Sequence, residues 1–198
     1  MDSVSWILLE SAPMLGIIRD LLSTPEPANL GPGPRPGVRP ESEIHRLLQA
    51  NLQFSEQNTQ QQKLIRSLVL LWHDHLDDSH SISQEINNTD GAFVHGIMHR
   101  REPDYANAAY WFRRVGTHGA YSALAEKTLA FLEMQKASAL AQRLISRDKW
   151  QPFEFIDACA EAIQNQNSAA GTLREIQRIE TEVLLEYFLN QESTKAMA

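Results

Sequence analysis

Beyond Pro40 the apolar residues recur every three or four positions, and nowhere do they alternate strictly with polar ones. That period places side chains on one face of a helix, whereas a half-buried strand needs a period of two. Ile44, Leu47, Leu48 and Leu52 open a first helix. A longer helix is expected from about Gln61 to Ile86, bounded by the turn-rich Asn87-Asn-Thr-Asp-Gly91. Pro103 suits the first turn of the next helix, which runs through Trp111 until Gly116-Thr-His-Gly119 breaks it. Further helices are expected at Ala120–Lys136, Pro152–Gln164 and Thr172–Asn190. The last begins with Thr172-Leu-Arg-Glu175, the pattern of a capping box, and carries the apolar stripe Leu173, Ile176, Val183, Leu184, Tyr187, Phe188. The pattern therefore predicts an all-α protein, an irregular bundle of about six to seven helices.

The chain before residue 41 follows different rules. Residues 25–40 hold Pro25, Pro27, Pro32, Pro34, Pro36 and Pro40, so no helix runs through them, and they form a linker or an extended strap. No Gly-Lys-Ser/Thr ending is present, and proline lacks the amide donors that cradle phosphate. Residues 1–24 allow an N-terminal amphipathic helix with Ile7, Met14, Ile18 and Leu21 on one side. Packing onto the main domain is its expected role, since the polar face lacks the lysines and arginines of a membrane-surface helix. Three segments result: residues 1–24, the strap at 25–40 and a helical domain at 41–198.

Charge and cysteine usage narrow the function classes. The formal net charge of −7 repels phosphate backbones and anionic membranes at long range, which argues against bulk nucleic-acid binding. The N-terminus has an early acid and no basic leader, and Glu10, Arg19 and Asp20 interrupt the apolar run. A membrane span needs about 20 consecutive apolar residues, so no transmembrane segment is expected and a cytoplasmic location is. Cys159 is the sole cysteine, which excludes an intrachain disulfide. It shares an apolar stripe with Phe153, Ile156 and Ile163 and is expected to be a buried, inert thiol.

The chemistry-bearing residues concentrate between Trp72 and His118. Six of the seven histidines lie there: His73, His75, His80, His95, His99 and His118. On a continuous helix at about 100° per residue, Leu64, Leu68, Leu71, Trp72, Ile82 and Ile86 share a face with His75 near its middle and Ser79 close by. His73, Asp77 and His80 fall at the opposite edge, towards solvent. His95-Gly-Ile-Met-His99 puts two imidazoles four residues apart, a spacing that can hold a transition metal. The remaining ligands would come from His75, His80, Asp74 or Glu102, and the metal's identity is left open.

The next stretch carries Arg100, Arg101, Glu102, Asp104, Tyr105, Asn107, Tyr110, Trp111, Arg113 and Arg114. Guanidinium forks bind carboxylate or phosphate, and aromatic faces stack on sugars or bases. In an acidic protein such a cluster reads either as a small electropositive pocket or as an internal ion-pair network. Asp104-Tyr-Ala-Asn-Ala-Ala-Tyr-Trp-Phe-Arg-Arg-Val-Gly116, with Ala120 to Leu129, resembles one helical hairpin of a Sel1-like or tetratricopeptide repeat. One copy does not make a repeat protein, since solenoids need roughly three to bury a continuous core. Trp72-His-Asp-His-Leu-Asp-Asp-Ser-His80, His95-Gly-Ile-Met-His-Arg-Arg-Glu-Pro-Asp-Tyr105 and Tyr110-Trp-Phe-Arg-Arg-Val-Gly116 resemble a family of uncharacterised bacterial and fungal proteins. That resemblance spans roughly Leu30 to Tyr187 and implies no activity. The family pattern has His-Pro after Val115-Gly116, where this chain has Thr117-His118-Gly119.

Three functions follow as expectations. The first is a site for a small anionic or polyhydroxylated, sugar-like ligand, with enzymatic use among its readings. His75, His95, His99 and Glu102 would supply acid–base chemistry. Ser79, Arg100, Arg101, Asp104, Tyr105, Asn107, Trp111, Arg113 and Arg114 would hold the ligand. The second is a non-catalytic helical interaction module that binds a protein partner or forms a homodimer. The third is a His-ligated metalloprotein.

Overall fold

In a computed structural model, residues 15–52, 59–166 and 168–195 are described, with side chains through Gln191. The architecture is all-α: ten helices and one two-stranded hairpin among these residues. The helices are α1 (residues 15–21), α2 (Glu41–Asn51), α3 (Thr59–Trp72), α4 (Leu76–Ser83) and α5 (Thr89–Arg101). They continue as α6 (Tyr105–Val115), α7 (Tyr121–Met134), α8 (Ser138–Leu144), α9 (Pro152–Asn165) and α10 (Ala170–Lys195). Strands β1 (Ile145–Ser146) and β2 (Lys149–Trp150) pair antiparallel between α8 and α9. None of the described helices is long and apolar enough to cross a membrane.

The count exceeds the expected six to seven because one long helix is two and short elements join the others. The apolar wheel from 61 to 86 is broken at Asp74, whose φ of 67° lies in the left-handed region that an aspartate tolerates. The amide of His75 reaches back to the carbonyl of Leu70, closing α3 before α4 starts. This break re-phases every polar residue after it. His75, expected in the core, is half-exposed at the N-cap of α4. His73 precedes the break; expected towards solvent, it is buried because the N-terminal segment and strap cover it, with the Leu21 carbonyl 2.9 Å from its Nε2. Helix α8 and the hairpin were also unanticipated. Arg147 and Asp148 both adopt left-handed φ (51° and 59°), the geometry of a two-residue turn. Arg-Asp carries little of the Asn-Gly signal that marks such a turn.

Two helix starts differ from expectation. Pro103 lies before α6, whose N-cap is Asp104, with its side chain accepting from the Asn107 amide at 3.1 Å. Helix α10 begins at Ala170, where the Leu173 amide donates to the Ala169 carbonyl. Thr172 is therefore already inside the helix and Glu175 pairs with Arg178, so no capping box forms. The stripe of α10 holds: Leu173, Ile176, Val183, Leu184 and Phe188 are buried and Tyr187 partly so. Cys159 is fully buried on α9, and burial pushes its thiol up to about 12.

Helix α5 is the axis of the fold. Every residue from Asp90 to Arg101 is buried, because α3, α4 and α6 all pack on it. Its closest partner is α6, and Gly96 is the reason: a β-carbon there would lie 2.9 Å from the Phe112 ring. The intimate helix pair is thus α5–α6. The repeat-like hairpin expected from residues 104–129 supplies two helices that diverge at Gly116: α6 packs on α5 and α9, α7 on α8, α10 and β2.

The proline-rich segment is a docked strap. Ala28, Leu30 and Arg35 are buried, and the core donates to its carbonyls: Gln177 to Ala28 and Asn29, Arg174 to Pro27, Arg101 to Asn29 and Gly31. Just before it, Trp72 donates to the Leu22 carbonyl. From the N-terminal helix, Ile18 and Leu21 pack into the core as expected. Ile7 and Met14 lie outside the described residues.

Candidate functional site

Helices α4, α5 and α6 and the C-cap of α5 bring together six side chains: His80, His95, His99, Glu102, Asn107 and Trp111. His95 and His99, one turn apart on α5, stack with ring centroids 4.7 Å apart and planes 20° apart. His80 from α4 meets both edge-on, at 4.7 Å from His95 and 5.4 Å from His99. One ring nitrogen from each of the three lies within 4.8 Å of the others. Trp111 of α6 covers the remaining face of His95, stacked at 4.0 Å and 17°. Gly96 permits this approach, since its missing β-carbon leaves α6 room to bring Trp111 onto His95.

Two polar side chains flank His99. Its Nδ1 lies 3.1 Å from Oε2 of Glu102, the C-cap of α5, and Asn107 Nδ2 of α6 lies 3.1 Å from Nε2. A carboxylate accepts only, so Nδ1–H donates to Glu102. The Asn107 amide nitrogen, also 3.4 Å from Nδ1, lies beside the ring and not along the Nε2 lone pair. Burial pushes His99 below its usual value against the opposing pull of Glu102. His95 is 3% exposed, and neither of its ring nitrogens has a hydrogen-bond partner among the described residues. Burial, then the neighbouring His99 and His80, lowers its pKa to about 3. Burial thus favours the neutral form of both, the form in which imidazole binds metals. The rim lies at Glu102, 35% exposed, and half-exposed His80 and Asn107.

The other expected site residues go elsewhere. Arg100 turns inward, where its guanidinium pairs with buried Glu180, bonds Gln177 and lies 4.3 Å over the Phe155 ring. Burial alone would lower its pKa, but the Glu180 carboxylate outweighs this and raises it. Arg101 points at the strap, bonding Leu71, Asn29 and Gly31 carbonyls and Asp74 at 2.6 Å. Tyr105 faces Arg100 and Cys159, and Asp104 serves as a helix cap. Arg113 is exposed, and Arg114 lies outside over Trp111 at 5.1 Å, bonded to Asn87. Ser79 binds Ser67 across α3 and α4, and His75 Nε2 lies 2.7 Å from the Arg39 carbonyl. The four arginines therefore do not converge on one pocket. His95, His99, Glu102, Asn107 and Trp111 do, joined by His80.

His80 was only one of several ligand candidates because it sits 15 positions from His95, and a continuous helix would have turned it to solvent. The run His73-Asp74-His75 interrupting the apolar stripe is the sole sequence signal of the break that redirects it.

No protein-family model, curated protein or solved structure matches this chain.

Proposed function

We propose that the protein binds one divalent transition-metal ion through His80, His95 and His99, and that the ion joins α4 to α5 beneath α6. The observation that carries this reading is His95, buried with both ring nitrogens unpartnered beside two other imidazoles. A buried polar side chain ordinarily finds a hydrogen bond, and leaving it without one costs about 1–3 kcal/mol. A metal bond to one nitrogen gives that burial a purpose. Glu102 supports it in the manner of the carboxylate–histidine pairs that orient metal ligands. A set of imidazoles without thiolate suits zinc, copper, nickel or iron(II) rather than magnesium or calcium.

The arginine-based ligand pocket has less support, since Arg100 and Arg101 are held in buried ion pairs. The interaction-module reading takes the repeat-like hairpin and the N-terminal segment as its working surfaces, and the internal hydrogen bonds of His75 and Ser79 favour it over a ligand site built on those two residues.

Elemental analysis and native mass spectrometry of the purified protein test the proposal. The expected result is one zinc-class ion per chain, lost in His95→Ala and His99→Ala. A metal-free mass that persists after incubation with zinc, cobalt and nickel would overturn it.

A further inference from the structure

We infer that the proline-rich strap assembles the proposed metal centre, with Arg35 and Arg39 as positioning residues for the ligand His80. The inference rests on the three-histidine reading above and adds how its third imidazole is aimed. His80 meets His95 and His99 because Asp74 adopts a left-handed φ of 67° and restarts the chain as α4 in a new direction. Aspartate tolerates that conformation without preferring it, so contacts from elsewhere must hold it. The strap supplies them at all three residues of the break. Asp74 accepts from the Arg35 amide at 2.8 Å and from the Arg35 guanidinium at 2.5 Å. One position earlier, His73 Nδ1 accepts from the Arg39 amide at 3.2 Å. One position later, His75 Nε2 donates to the Arg39 carbonyl at 2.7 Å. The N–H and C=O of one strap residue thus grip both neighbours of the left-handed residue.

The same carboxylate reaches the other ligand-bearing helix. Arg101, the last residue of α5 and two positions beyond His99, pairs with Asp74 at 2.6 Å and donates to the strap carbonyls of Asn29 and Gly31. The strap, the start of α4 and the end of α5 therefore share one buried junction. Without the strap, Asp74 loses two of its three hydrogen bonds, and His73 and His75 lose their Arg39 partners. The break then competes with a continuous helix through α3 and α4, in which residue 80 turns away from His95 and His99. Metal binding and strap docking favour the same arrangement, so each strengthens the other by the same factor.

The test titrates the full chain with Co2+ and follows its visible absorption. Arg35→Ala is expected to weaken cobalt binding about tenfold, within the usual range of coupling between two sites. In a His80→Ala background the same substitution is expected to change nothing, because the strap acts through His80. Arg35→Lys, which keeps a cation against Asp74, is expected to recover most of the affinity. Hydrogen exchange of the wild type gives the reciprocal measurement and decides where the alanine variant fails to fold. Zinc should slow exchange at the Arg35 and Arg39 amides, which donate to Asp74 and His73. Equal losses of cobalt affinity in both backgrounds overturn the inference, since they mark general destabilisation. So does an unchanged affinity in Arg35→Ala, or strap exchange indifferent to zinc in a protein that binds it. If the wild type takes up neither ion, the metal reading itself falls and the role of the strap with it.

Discussion

At the scale of single residues, the histidines differ by environment and not by sequence context. His73 and His95 are both buried and neutral, and burial lowers their pKa values to about 4 and about 3. His73 lies beneath the N-terminal helix and strap, facing the Leu21 carbonyl at 2.9 Å and accepting from the Arg39 amide. The unfolded chain protonates each near 6.5, so below that pH it binds more protons than the native state does. Their contribution to stability is complete above pH 6.5 and is lost as pH falls towards 4 and 3. For His73 the loss is roughly 3 kcal/mol by pH 4, at about 1.4 kcal/mol per pKa unit. Urea midpoints of metal-free protein should therefore drop steadily between pH 6.5 and 4. His95→Phe keeps the stack on Trp111 and removes one titrating group, so its slope should be shallower. An equal slope would mean that His95 is not neutral and buried in solution.

At the scale of elements, the site depends on how closely α6 approaches α5. Gly96→Ala would set a methyl group 2.9 Å from the Phe112 ring and 3.5 Å from Trp111 Cβ. The two helices must separate, at a cost of about 1–3 kcal/mol typical of an overpacked contact. On the proposed metal reading, Trp111 rides on α6 over His95, so the same substitution should weaken metal uptake as well as stability. Denaturant melts and cobalt titration of this variant check the two effects together. Loss of stability with unchanged cobalt affinity would mean that α6 contributes nothing to the centre.

At the scale of the whole molecule, a buried charge cluster connects the strap to the core. Asp74 has a fully buried side chain and accepts from the Arg35 amide, the Arg35 guanidinium and Arg101. Gly33 makes room for it, since a β-carbon there would lie 2.5 Å from Asp74. Removing the carboxylate strands two buried cations, an arrangement that costs about 3–5 kcal/mol. Asp74→Ala should therefore lower the urea midpoint sharply. It should also accelerate hydrogen exchange at the Arg35 amide, which donates to Asp74 in the native fold. Exchange in α10 should change less, which separates release of the strap from global unfolding.

The residues themselves determined the fold class, because a three-to-four residue apolar period has one structural outcome and needs no partner segment to be read. They also determined the burial of Cys159, the core stripe of α10 and the exclusion of helix from residues 25–40, each a local consequence of side-chain shape and proline geometry. His95 and His99 could be paired on one face because they belong to one helix. The tertiary structure alone decided the rest. A single left-handed residue, Asp74, re-aimed His75 and His80, and a helix wheel assumes that no such residue exists. Neighbouring arginines separated for a related reason. Adjacent helix positions point about 100° apart, so Arg100 met Glu180 of α10 while Arg101 met the strap. Those partners lie 80 and 72 positions away in the chain. Which charges neutralise one another, and which histidines converge, is settled by packing between distant segments, and no local pattern encodes it.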